Sequence, residues 1–371
     1  MAKKRELKVI FITPVPLEGA GCRFRILQYL PFLKEHGVRA IVRPFFFSRF
    51  FAVVYKKGHF PQKAFYFFIA TLGRLCDLVR ACFCDMIFIY REAYPIGPAG
   101  FESLIHLLGK PIVYDFDDAI FISNSSKANK FVNFFRINNN AEKIIKISDF
   151  IIVGNNYLKD FALQFNDKVA VIPTVVDTNS YTPRLKKQNN RVTIGWMGTF
   201  TTQQYLLPLA RVIKRLNDKY KDKIQFKFIA SGENLRLEGV TWKEWSLEQE
   251  KQELGSFDIG LMPLPDNAWA RGKCGFKAIL YMSIGIPCVC SPVGSNKEII
   301  NDGVNGFLAD SEEEWIEKIS LLIDSEEVRE KIGARARDTV ERLFSLEGNA
   351  PKFLDVIRKA YEQRFSKRSI K

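Results

Sequence analysis

RGKCGFKAILYMSIGIPCVCSPVGSNKEIINDGVNGFLAD, residues 271–310, reads as a basic glycine-containing turn, a helix and a buried strand in direct succession. Gly272 and Gly275 flank the turn, the helical pattern Lys277–Met282 follows, and Gly285 with Pro287 ends it before an apolar run. A turn of this kind leaves backbone N–H groups unsatisfied at the helix start, where the helix dipole adds about half a positive charge. Arg271, Lys273 and Lys277 surround it. The cluster suits a diphosphate; it also reads as a solvated basic loop.

Working outward, the same alternation of short apolar runs and longer helical patterns covers most of the chain, which predicts parallel α/β layers. Strands are expected at 8–12, 38–43, 86–90, 111–114, 150–153 and 169–172 in the first half. The second half has them at 192–196, 225–230, 259–262, 287–290 and 306–309. Between the two sets lies PTVVDTNSYTPRLKKQNN, with two Pro and no apolar period. The expected division is therefore a domain over 1–172, a linker over 173–190, a second domain over 191–349 and a C-terminal helix with a basic tail over 350–371. Each half opens with a strand and a glycine-containing turn, and two doubly wound domains facing a central cleft would bring both turns to it.

The 371 residues suit two domains, and 47% hydrophobic with 26% charged residues excludes disorder, collagen and coiled coil. The charge is uneven. Residues 1–190 hold 27 basic and 15 acidic side chains, a balance of +12, against +2 for the remainder. Fourteen of the 32 Phe fall in the first hundred residues. Residues 44–83 interleave aromatic side chains with Arg49, Lys56, Lys57, Lys63, Arg74 and Arg80. Such a segment is either a helix pair whose Phe fill a core or a surface for anionic lipid. No nucleic-acid partner is expected, because no RNA-binding or helix-turn-helix signature accompanies the charge.

No stretch spans a bilayer, since the best candidate, 63–90, contains Arg74, Asp77, Arg80 and Asp85. The first residues lack a long apolar segment with a small-residue cleavage site, so a secretory signal is not expected. Seven scattered Cys and three His show no zinc spacing. No metal site is predicted, and the cysteines read as small core residues of a cytoplasmic protein.

In the first half, LEGAGCRFR places Gly19 and Gly21 in the turn after strand one, with Arg23 and Arg25 opening the next helix. Phosphate or sugar contact and a plain tight turn are both open readings. YDFDDAIF puts Asp115, Asp117 and Asp118 at the end of a strand, where three carboxylates need hydrogen bonds, a cation or sugar hydroxyls. YREAYPIGP offers Arg91 and Glu92 to the same place.

Residues 271–310 resemble the retaining glycosyltransferases of family 4, whose motifs read EGFGxxxxEAMACGxPVV and GGxxEIVxDGxNGFLV. Met282, Gly285, Pro287, Val289, Gly294, Glu298, Ile299, Asp302, Gly303, Asn305, Gly306 and Phe307 match. VIPTVVDTNSYTP is similar to the family's VIPNGVDxxxFxP. The resemblance covers nearly the full length, most strongly residues 170–310, in a branch with GKCGFK in place of EGFG. It implies the GT-B fold, two Rossmann-like domains with a nucleotide-sugar between them and a C-terminal helix crossing back to the first.

It also implies a retaining, metal-independent hexosyl transfer from a nucleotide-diphosphate sugar to a glycan or lipid-linked acceptor in cell-envelope synthesis, without a cofactor. The expected place is the inner face of the cytoplasmic membrane. The family's ribose-binding Glu falls on Leu280, and its Arg and Lys after the first turn of the second domain are replaced by Thr199, Gln203 and Gln204. The diphosphate is therefore assigned to Arg271, Lys273 and Lys277 with backbone N–H groups at Gly198, Gly275 and Phe276, and Thr199 is counted among the donor-binding residues. Asp117 takes the place of a sugar-contacting His, Trp245 and Ser246 the loop that meets the base, and Gly19, Gly21 and Arg23 the N-terminal glycine loop. Leu280 and the missing cations also admit a non-catalytic subunit that binds a sugar or polyprenyl phosphate. A dehydrogenase is disfavoured because no GxGxxG follows strand one.

Overall fold

The computed structural model describes residues 6–54, 56, 58–122, 140–183, 191–232 and 235–366. Lys57, residues 184–190 of the linker and most of the SKRSIK tail lie outside the described residues. The chain divides into two compact units, one running to Thr174 and resuming at Asn349, the other Val175–Gly348.

The first unit is a six-stranded, all-parallel sheet in the order β2-β1-β3-β4-β5-β6. Its strands are β1 (Leu7–Thr13), β2 (Val38–Pro44), β3 (Met86–Tyr90), β4 (Ile112–Phe116), β5 (Phe150–Val153) and β6 (Val169–Val171). Helices α1 (Ala20–Arg25), α2 (Leu30–Glu35), α3 (Ser48–Val54), α4 (Phe60–Cys82) and α5 (Gly100–Leu107) follow the first strands. β3 and β4 are buried at every position, as expected of central parallel strands covered on both faces. The C-terminal helix Leu346–Ser366 returns to this unit, where Phe353 stacks on Tyr29 at 4.3 Å and packs against Phe88.

The second unit holds another parallel six-stranded sheet, in the order β12-β11-β10-β7-β8-β9. Its strands are β7 (Val192–Gly198), β8 (Ile224–Ala230), β9 (Val240–Glu244), β10 (Ile259–Met262), β11 (Cys288–Cys290) and β12 (Phe307–Leu308). Trp196, Phe226 and Phe228 centre its core. Of the described part of the expected linker, residues 175–183 belong to this unit, held by Tyr181 Oη donating to Glu250 and Arg337 donating to the Thr178 carbonyl.

The periodicity missed one strand. VTWKE, β9, is absent from the expected strands; it is the half-exposed edge of the second sheet, so it carries Lys and Glu instead of an apolar run. The Phe-rich segment serves two purposes at once. Phe45 and Phe50 are buried in a small aromatic cluster, whereas one face of α4 stays exposed. None of the seven cysteines is in a disulfide; five are buried, and Cys76 and Cys82 are exposed. Among the described residues no helix is long and apolar enough to cross a membrane.

Candidate functional site

In an open parallel sheet, ligands bind outside the carboxyl ends of the strands where the strand order reverses. That point lies between β1 and β3 in the first sheet and between β7 and β10 in the second. Gly19, Gly21, Arg23 and Arg91 follow β1 and β3; Gly198 and Thr199 end β7; Arg271 follows β10. Most of the residues predicted from sequence thus sit at two such edges.

In the first unit Gly19 is the N-cap of α1, its N–H bonded to the Pro16 carbonyl at 3.0 Å. Gly21 is glycine because a Cβ there would overlap the Tyr90 hydroxyl. Arg23 is half-buried on α1 with its guanidinium 5.1 Å from the Phe24 ring centre. Tyr90 Oη donates to Asp117 at 2.8 Å, Arg91 donates to the same carboxylate from Nε and Nη2 at 2.9 and 2.7 Å, and Arg91 Nη2 also reaches Asp118 at 2.6 Å. Burial pushes the Tyr90 phenol up, so it stays protonated and donates. Arg91 has a φ of 59°, an αL conformation that costs a non-glycine residue of order 1 kcal/mol or more. Its N–H bonds to the Asp115 carbonyl at 2.7 Å, which holds the strained turn in place.

Arg25 is a correction to the sequence reading. Its side chain is not available to a phosphate: it is 1% exposed, forms a bidentate pair with Asp115 and donates to the Ile172 carbonyl at 2.7 Å. Burial pushes the Asp115 carboxyl up to about 6 against the pull of Arg25, so at neutral pH the pair is charged. Asp115 is therefore structural. The three carboxylates of DFDD are engaged by two guanidiniums: Arg91, as the sequence placed it, on Asp117 and Asp118, and Arg25, 90 positions away in the chain, on Asp115.

Burial works to raise the Asp117 carboxyl, but the Arg91 and Arg25 guanidiniums and the Tyr90 hydroxyl outweigh it and hold the group below the ordinary carboxylate range. A depressed carboxyl stabilises the fold above the unfolded value and loses that contribution as pH falls through the folded one. Asp117→Asn is thus expected to flatten the acid side of the stability curve, read as the thermal unfolding midpoint as pH falls from about 5 to about 2. An acid limb as steep as that of the wild type would show that Asp117 does not carry it.

In the second unit the helix Phe276–Ser283 starts from Gly275, which sits in the left-handed region at φ 66°. Tyr281 of this helix accepts from the Met197 N–H at 3.1 Å and donates to the Leu261 carbonyl at 3.3 Å. One phenol thereby ties the helix to β7 and β10, the two strands flanking the reversal. Gly198 leaves no room for a Cβ against the Trp196 ring, and the turn beyond it closes by Thr199 N–H to Thr202 Oγ1 at 3.0 Å. Phe276 is half-buried at the first helical position.

The basic side chains at this edge differ in state. Arg271 makes an exposed bidentate pair with Asp266, at 2.6 and 3.1 Å, which offsets its charge. Lys273 Nζ lies 5.6 Å from the Trp269 ring centre and Lys277 Nζ 5.8 Å from that of Trp196, both within cation–π reach. The indoles and Asp266 carry no motif of their own and were not anticipated. Leu280 is buried at 6% exposure and offers no hydrogen-bond acceptor from its side chain.

Trp245 follows β9, its N–H bonded to the Ala230 carbonyl and its indole donating to the buried Glu250 at 3.0 Å. Ser246 Oγ accepts from the Gln249 N–H at 3.3 Å. Among the described residues no group of three or more His, Cys, Asp and Glu is arranged to hold a metal ion.

Residues 191–325 match the model of the family described as Glycosyl transferases group 1. Spore coat protein SA of Bacillus subtilis is 32% identical over 81 residues, covering 21% of this chain and 22% of that protein. A glycosyltransferase from Rickettsia africae superposes over 98% of this chain and 99% of its own, with a TM-score of 0.67 and 16% identity. Anabaena Alr3699/HepE, solved with UDP and glucose, does so over 95% and 100%, with a TM-score of 0.63 and 14% identity. The similarity to that family's model thus lies within the second unit, and the chain has the GT-B fold.

Proposed function

We propose that the protein is a retaining glycosyltransferase that moves a sugar from a nucleotide-diphosphate sugar to a glycan or lipid-linked acceptor in cell-envelope synthesis. The observation that carries this reading is the start of the helix Phe276–Ser283, with Gly275 in the left-handed region and Lys273 and Lys277 beside it, at the strand-order reversal of the second sheet. Backbone N–H groups and two ammonium groups meet the charge that develops on a leaving diphosphate, so neither a metal nor a separate cofactor is required. Thr199 and Gly198 border the same edge, and Trp245 with Ser246 offer a stacking surface and a hydroxyl to the base. In the first unit Asp117, oriented by Tyr90 and Arg91, accepts from sugar hydroxyls, and Gly19, Gly21 and Arg23 border the loop above it.

The spore-coat relative supports an envelope role, and the UDP and glucose held by the Anabaena protein support a nucleotide-sugar donor. The acceptor side includes peripheral contact with an anionic membrane surface at its cytoplasmic face, supported by the +12 balance of residues 1–190.

A thermal-shift panel of UDP, GDP, ADP and CDP is expected to single out one nucleotide, since bound ligand raises stability by RT ln(1 + [L]/Kd). With the sugar of that nucleotide as donor, Lys273→Ala and Lys277→Ala are each expected to lower turnover by about 100-fold. Undiminished turnover in both would remove the diphosphate from this edge. A second reading, a binding subunit without transfer, is favoured by the buried Leu280 in place of an acceptor for ribose. It predicts nucleotide binding with no transfer or hydrolysis.

A further inference from the structure

Helix α4 runs for 23 residues and has two unlike faces. Ala70, Arg74, Asp77 and Ala81 are buried. On the other side Phe65, Phe68, Leu72, Leu75 and Val79 are between 47% and 62% exposed. Steps of three and four residues place these five on one stripe. Scattered exposed apolar residues are ordinary on a protein surface, but a continuous stripe along a helix marks a site of contact. Phe83, 78% exposed, extends it beyond the helix end.

The charge around the stripe selects the occupant. Between residues 36 and 84 the only acidic residue is Asp77, and it is buried. Arg43, Arg74 and Arg80 all donate to its carboxylate, at 2.7, 3.1 and 2.8 Å, so one negative charge is exceeded by three positive ones. Arg49, Lys56 and Arg80 are exposed nearby. A second copy of this chain would bring another basic surface with no acid to answer it. An anionic bilayer supplies both the hydrocarbon for the stripe and the negative charge for its border.

We propose that α4 lies in the plane of an anionic membrane surface, with Phe65, Phe68, Leu72, Leu75 and Val79 among the lipid chains and Arg49, Lys56 and Arg80 against the headgroups. At a rise of about 1.5 Å per residue the helix contacts the surface along about 34 Å. It does not cross, because Arg74, Asp77 and Arg80 interrupt it. This rests on the membrane contact included in the proposed function and names the surface that makes it.

The test uses the full chain and vesicles of phosphatidylcholine, either pure or with about 30% phosphatidylglycerol. Wild type is expected to co-sediment with the anionic vesicles alone, and raising salt from about 0.05 to 0.5 M is expected to release it. Phe68→Ser with Leu72→Ser removes two embedded side chains and is expected to weaken partitioning about tenfold or more. Arg49→Gln with Lys56→Gln is expected to cost about fivefold per charge.

Both double variants should keep the nucleotide-induced thermal shift of the wild type, which separates a failure of docking from a failure of the transferase reading. Equal binding to neutral and anionic vesicles, or binding that neither variant weakens, would overturn the proposal. So would a dimer in sedimentation equilibrium that Phe68→Ser with Leu72→Ser dissolves, since that assigns the stripe to a second copy.

Discussion

Arg25→Met is expected to destabilise the first unit by about 3–5 kcal/mol, because it leaves the Asp115 carboxylate buried without its partner. Asp115 has no exposed surface, and its two oxygens receive Nε and Nη2 of Arg25 while Nη1 holds the Ile172 carbonyl. The loss has two sources, an uncompensated charge and an unsatisfied carbonyl. Removing both charges separates them. Arg25→Met combined with Asp115→Leu is expected to recover most of the stability, since an apolar pair of similar volume carries no desolvation cost. Urea unfolding of the two singles and the double forms the cycle. If the double is as unstable as the sum of the singles, the two side chains are not energetically coupled and the account of Asp115 fails.

The second large effect is expected at Gly275. Alanine there meets two obstacles: φ is 66°, where an L side chain costs about 1–2 kcal/mol, and the added Cβ would run into Cδ1 of Ile299. A shift of the helix start relieves both, and that start carries the N–H groups of Gly275 and Phe276 and the side chain of Lys277. A displacement of about 1 Å at a reacting group lowers rate by about 100-fold, and Gly275→Ala is expected to lower donor turnover to that extent while the chain stays folded by circular dichroism. Ile299→Val removes the Cδ1 atom, so the double variant is expected to regain part of the rate. Wild-type turnover in Gly275→Ala would mean that the helix start does not meet the donor.

The two effects belong to different levels of the molecule. Arg25 and Asp115 lie 90 positions apart in the chain, and nothing in LEGAGCRFR or YDFDDAIF announces their pairing. Gly275 lies within a motif that can be read directly, since a glycine between Lys273 and the helical run Lys277–Met282 is the expected residue for a left-handed helix start. Arg23 and Arg25 show the limit of such reading. They are two positions apart on a short helix, yet one is half-buried at the edge of the sheet and the other is enclosed against β4. Helical phase fixes which side each faces only when the sheet beneath is known.

The local pattern of the chain was sufficient for the α/β class, for the strands whose burial on both faces makes them continuous apolar runs, and for the glycine turns that follow β1 and β7, because these are properties of neighbouring residues. It was insufficient for β9, whose edge position lets polar residues in, and for the Tyr90 hydroxyl on Asp117, although the meeting of Arg91 with the carboxylates of DFDD was legible from YREAYPIGP. It also left open whether the Phe of residues 44–83 form core or surface. Tertiary packing divided them, enclosing Phe45 and Phe50 with Ala70 and leaving Phe65 and Phe68 outward, because a helix laid on a domain's surface can bury only one of its faces.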